Sequence, residues 1–167
     1  MFQKGESVVY GNLGVCRVED IITRRFEGLD EAHPYYVLKP LYQEGVLYAP
    51  ADNPRIALRP VLTKAQADAL IDSIPTRTGE AFHSRSAQEL ATHYEQAMSS
   101  HACTDLLELA MSIYHKKQSL TRQNKKFGRV DEHFLHQAED GLYGELAAAL
   151  GIAKEEVPGY IEKRLGD

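Results

Sequence analysis

The residues best suited to chemistry are seven histidines, two cysteines and a pair of glycines near the amino end. His133 and His136 stand three apart on a predicted helix, beside Glu132 and Glu139. Carboxylate and imidazole ligands at such spacing build di-metal centres, but only with matching sets on neighbouring helices. No second Glu-x-x-His set occurs, so surface histidines are expected here. His101 and Cys103 bracket a predicted turn without further ligands nearby. Cys16 and Cys103 lie too far apart in sequence for paired metal spacing, and two buried thiols are expected. The stretch "SVVYGNLGVC", residues 7–16, offers Gly11 and Gly14 as a possible phosphate loop. A phosphate loop must open a helix and carry Lys-Ser or Lys-Thr. "VCRVEDI" follows instead and is strand-like, so "GNLG" reads as a hairpin connection. No Gly-x-Ser-x-Gly elbow is present. The expectation is a protein that is not an enzyme, with no metal, no cofactor and no small-molecule substrate.

One charge feature stands against the totals. The chain of 167 residues has a net charge of −5, yet six of its 19 basic residues fall within residues 114–130. That stretch, "YHKKQSLTRQNKKFGRV", holds Lys116, Lys117, Arg122, Lys125, Lys126 and Arg129, and no acid. Such a cluster either solvates a helix end, where cations also suit the dipole, or meets a phosphate backbone. Backbone contacts position a protein on DNA with little sequence specificity.

The elements that must hold these residues change character near residue 62. Upstream, "ESVVY", "GVCRVEDI", "PYYVLKPLY", "GVLYAP" and "RIALRPV" are short, rich in Val, Ile and Tyr, and punctuated by Gly, Pro, Asp or Asn. Five short strands are expected to close into a small barrel. From Thr63 the pattern becomes helical. Thr63/Gln66 and Ser86/Glu89 read as capping boxes. Apolar residues then recur at helical spacing along Ala87–Met98, Leu106–Tyr114 and Phe134–Leu150. The third of these helices is expected to start after Asp131 and to stop at Gly151, with Gly141 and Gly144 admitting a close neighbour. A last helix covers about 153–165, with Pro158 interrupting it or marking its first turn. The expected organisation is α+β in two domains, 1–61 and 62–167, with a linker or turn region at about 75–85. No run of about 18 apolar residues and no signal-peptide pattern is seen, which implies a cytoplasmic protein with no membrane partner.

With the segments placed, the chain resembles the CarD/CdnL family of bacterial transcription regulators. The likeness is carried by "MFQKGESVVYGNLGVCRVEDI", "YYVLKPLY" and "LYAPADN", and at the other end by "AEDGLYGELAAALGIAKEEVPGYI". The same amino-terminal module recurs as the RNA-polymerase-interacting domain of the transcription-repair coupling factor. The resemblance implies a Tudor-like, SH3-like β-barrel that binds the RNA polymerase β subunit, partly by strand pairing. It implies a helical bundle that contacts promoter DNA near the upstream edge of the bubble and modulates open-complex stability.

Carried over residue by residue, the family's basic contact at the end of the second strand falls on Arg24, with Arg25 beside it. A second contact, basic in some members, falls on Tyr48. The six clustered bases are the candidates for DNA contact. Family members insert a tryptophan wedge in the minor groove, whereas this chain has no Trp. Phe82 or His83 stands nearest that place, and other apolar side chains can also unstack a base step. The competing reading is a polymerase-docking or scaffold module without significant DNA binding, favoured by the acidic total and the missing Trp.

Overall fold

The computed structural model describes residues 2–24, 32–52 and 58–166, apart from the side chains of Asn12 and Arg24. By contacts the chain forms two compact units, Met1–Leu62 and Thr63–Asp167.

The first unit is a five-stranded antiparallel sheet: β1 Ser7–Tyr10, β2 Gly14–Arg24, β3 His33–Pro40, β4 Leu47–Pro50 and β5 Leu58–Pro60. Its order is β4-β3-β2-β1-β5. Among the described residues the ladders do not join β4 to β5. "GNLG" is a hairpin turn, as its residues require: one 3-10 turn over Gly11–Leu13 lies between the paired β1 and β2. Gly11 and Gly14 both take positive φ, 45° and 76°, where a Cβ would be strained.

The alternation of β2 breaks at a bulge. Val18 pairs with Leu38, but Asp20 pairs with Val37, so Glu19 is an extra residue. The insertion brings Ile21, opposite Tyr36, onto the face of Cys16 and Val18. Without it, Asp20 would point into the core. Val8, Cys16, Val18, Tyr36, Leu38 and Ala49 form that core, flanked by Phe2, Tyr10, Ile21, Leu47, Ala51 and Leu58. Tyr36 Oη accepts the Phe2 amide at 3.0 Å while their rings meet edge-on. Strand β3 ends at Pro40, two residues short of the expected end, because proline donates nothing to a ladder.

The second unit holds α1 Lys64–Asp72, α2 Ala87–Met98, α3 Cys103–Arg122, α4 Arg129–Leu150 and α5 Val157–Leu165. The Thr63/Gln66 capping box forms in both directions. The Ser86/Glu89 box forms by half. Ser86 Oγ accepts the Glu89 amide at 3.2 Å, but the Glu89 carboxylate takes the Ser84 hydroxyl instead. Pro158 sits in the first turn of α5, where its missing N–H costs nothing. Gly151 closes α4 in the left-handed conformation. At Gly141 a Cβ would stand 3.0 Å from Leu106 Cδ1, so this glycine does admit α3 closely.

The helical core joins Leu90 and Tyr94 of α2, Leu109, Ala110 and Ile113 of α3, and Phe134, Leu135 and Ala138 of α4. At the other end, α5 is tied to α1. Tyr160 Oη donates to Asp68 at 2.6 Å, and Arg164 grips Asp72 through two bonds of 2.7 and 3.0 Å. These partners hold both carboxyls below their ordinary values, through the Tyr160 hydroxyl at Asp68 and the Arg164 guanidinium at Asp72. A strap without regular secondary structure, residues 77–82, runs along α3. Arg77 pairs with Glu108 at 2.6 Å, Ser112 Oγ donates to the Glu80 carbonyl, and His115 Nδ1 donates to the Gly79 carbonyl. Glu108, Ser112 and His115 share one face of α3 by their spacing of four and three.

Candidate functional site

Two surfaces emerge, one on each unit. On the sheet, the connection from β3 to β4 carries large apolar side chains in solvent: Leu41, Tyr42, Val46 and, on β4 itself, Tyr48. Strand β4 is an outer strand of the sheet as described, with Tyr48 opposite Val37 of β3. Exposed aromatic and aliphatic groups beside an outer strand are what an incoming strand and its side chains can use. Arg24 ends β2 and pairs with His33 of β3. His33 Nδ1 in turn lies 3.0 Å from Asp52 Oδ2. Arg25 lies outside the described residues, as does the side chain of Arg24.

On the helical unit, the bases gather around the turn between α3 and α4. That turn is a Schellman motif: the Lys125 amide donates to the Leu120 carbonyl at 2.8 Å and the Asn124 amide to Thr121 at 3.1 Å. Asn124 takes φ +57°, which asparagine tolerates better than most residues. The chain therefore reverses sharply and carries Lys125 and Lys126 into solvent. Lys117, Arg122 and Arg129 are exposed beside them. The Lys117 ammonium lies 5.5 Å from the centre of the Phe127 ring, a cation–π distance. Burial raises the Glu139 carboxyl, and His136 and Lys117 partly offset the rise.

Lys116 does not share this surface, and the expectation that it would is corrected. Its residue is 5% exposed, and its Nζ donates to Asp131 Oδ1 at 3.0 Å. Tyr94 Oη donates to the same oxygen at 2.6 Å. Asp131 is 3% exposed and Tyr94 1%. Burial, and then the bond to Asp131, raise the Tyr94 phenol well above its ordinary value. Helix α4 starts at Arg129, three residues before the expected point, with Asp131 in its first turn facing inward. A basic run in sequence cannot show which of two adjacent lysines turns toward a buried acid fifteen residues away.

The two wedge candidates separate. Phe82 is half-buried against the helical core and stacks on His93, with centroids 3.7 Å apart and planes 10° from parallel. His83 is exposed. Residues missed by sequence reasoning are the apolar group at the β3–β4 connection and Tyr114, exposed on α3. "LYQEGVLY" reads as strand ends, and Tyr114 as the last residue of a buried stripe. The signal available for Leu41 and Tyr42 was Pro40, which stops the strand before them.

Among the described residues, no group of three His, Cys, Asp or Glu side chains is placed to hold a metal. No described helix is long and apolar enough to cross a membrane. Cys16 and Cys103 are both buried and are not joined in a disulfide.

An exposed aromatic edge on one unit and a cluster of exposed bases on the other are the two candidate interaction surfaces. Residues 2–62 match the family model of the CarD-like/TRCF RID domain, and the match ends where the sheet unit ends. This part of the chain thus carries a CarD-like RNA-polymerase-interacting domain. The helical residues 138–161 lie outside the match. No curated protein matches the chain.

Proposed function

We propose that this chain is a transcription regulator that docks on the β subunit of RNA polymerase and touches promoter DNA at the upstream edge of the bubble. The observation that carries the reading is the RID match over residues 2–62. Docking uses Arg24, Arg25 and the β4 edge around Tyr48, with Leu41, Tyr42 and Val46 covering apolar surface on the partner. Tyr48 offers stacking and a hydroxyl where other members use a base. The small barrel implied by the family resemblance is the form in which this unit docks.

DNA is held by its backbone, through Lys117, Arg122, Lys125, Lys126 and Arg129. The exposure of all five on or beside one turn supports this part. His83 is near enough in sequence to the family's wedge position to serve there, whereas Phe82 would first have to leave its stack on His93. The protein modulates open-complex stability without catalysis, and it acts in the cytoplasm on polymerase.

The test is binding of a forked promoter fragment across a salt series. Each phosphate contact adds about 0.9 to the slope of log K against log salt for duplex DNA. Lys125→Gln with Lys126→Gln should lower that slope by about two and leave polymerase binding intact. A wild-type slope near zero would overturn the DNA part and leave a polymerase-docking module.

A further inference from the structure

Tyr114 is the one large apolar side chain exposed on the helical unit among the described residues, at 50%. It is not needed for the core, whose α3 members are Leu109, Ala110 and Ile113. Its place on α3 puts it in register with the exposed bases. Lys117 and Thr121 follow at three and seven residues, and Gln118 and Arg122 at four and eight, so all share one broad face. With a rise of about 1.5 Å per residue, Lys117 stands about 4.5 Å and Arg122 about 12 Å further along the axis. The ring of Phe127, under the Lys117 ammonium, borders the same face. No acid lies between Tyr114 and Arg129 in the sequence.

We infer that Tyr114 is a stacking platform for one unpaired nucleotide base, with Lys117 and Arg122 holding the phosphates of the strand that carries it. A tyrosine ring offers a flat face to any base, so the contact is tolerant of sequence. A base within a duplex has both faces covered by its neighbours, so the partner is a single strand or the open end of a melted one. This inference rests on the nucleic-acid part of the proposed function and adds a contact that phosphate binding alone does not need.

The experiment measures the full chain against two probes at fixed low salt: a short oligothymidylate and a blunt duplex. Tyr114→Ala should weaken oligothymidylate binding about tenfold, within the range of one lost base stack, and change duplex binding less than twofold. Tyr114→Phe should keep wild-type binding, because the ring and not the hydroxyl is used. The chain has no Trp, so Tyr114→Trp adds a lone tryptophan, selectively excited at the red edge, whose emission the oligothymidylate should quench. Far-UV circular dichroism of each variant checks that the helices are intact. Equal binding of the oligothymidylate by wild type and Tyr114→Ala overturns the inference, as does an equal loss on both probes. If wild type binds neither probe, the DNA part of the proposed function fails and takes this contact with it. If wild type binds both with a normal salt slope and only Tyr114 proves inert, that reading stands and this one falls.

Discussion

Replacing Lys116 should destabilise the helical unit rather than weaken a nucleic-acid contact. At an effective dielectric of about 20, unit charges at the Lys116–Asp131 distance attract by about 5–6 kcal/mol. Taking the two charges out of water costs several kcal/mol each, so the pair is close to neutral as a whole. Breaking it is different. Lys116→Met leaves the Asp131 carboxylate buried with Tyr94 as the remaining partner described, at a cost of about 3–5 kcal/mol. For a unit the size of Thr63–Asp167 that is a fall in Tm of about 12–20 °C. The double variant Lys116→Met/Asp131→Asn removes both charges and keeps an acceptor for the Tyr94 hydroxyl. It should be less destabilised than the sum of its singles by at least about 1.5 kcal/mol. Urea unfolding of wild type, both singles and the double gives the cycle. Single losses below about 1 kcal/mol that simply add would refute the reasoning. So would a Lys116→Met variant of full stability with weakened DNA binding.

The same triad makes stability fall at alkaline pH. The folded Tyr94 phenol is raised, so its contribution is whole below about pH 10, the unfolded value, and is lost as pH climbs beyond it. Urea midpoints from pH 8 to 11 should show the fall, and Tyr94→Phe should flatten it. At the acid end, Asp68 and Asp72 are lowered in the folded state, so their ties to Tyr160 and Arg164 persist above about pH 4 and fail below it. Hydrogen exchange should show α5 amides losing protection there before those of α3 and α4. Gly79→Ala should destabilise by more than about 1 kcal/mol, read as a drop in Tm. Gly79 has φ +58°, and a Cβ there would meet Met111 and His115 at 3.1 Å.

Local signals were legible where one residue type answers one backbone demand. Glycines at positive φ marked the β1–β2 turn and the end of α4, and Thr63/Gln66 marked the start of α1. Apolar spacing gave the helical core. What stayed hidden depends on partners distant in sequence. Asp131 looked like the residue before a helix start because nothing near it reveals Lys116 and Tyr94 beneath. Glu89 looked like the return arm of a cap because Ser84 competes for it only in three dimensions. The bulge at Glu19 could have been suspected from "VEDI", where strict alternation would bury an aspartate. The aromatic edge at Leu41–Tyr48 was obscured because its residues have the composition of strand interiors.

The most direct test is the affinity of the full chain for purified RNA polymerase, measured on immobilised enzyme without DNA. Wild type should bind saturably. Arg24→Glu and Tyr48→Asp should each weaken binding at least about tenfold with Tm unchanged, and Lys125→Gln/Lys126→Gln should bind as wild type does. An absence of saturable binding, or equal binding by all four proteins, would contradict docking through the sheet unit.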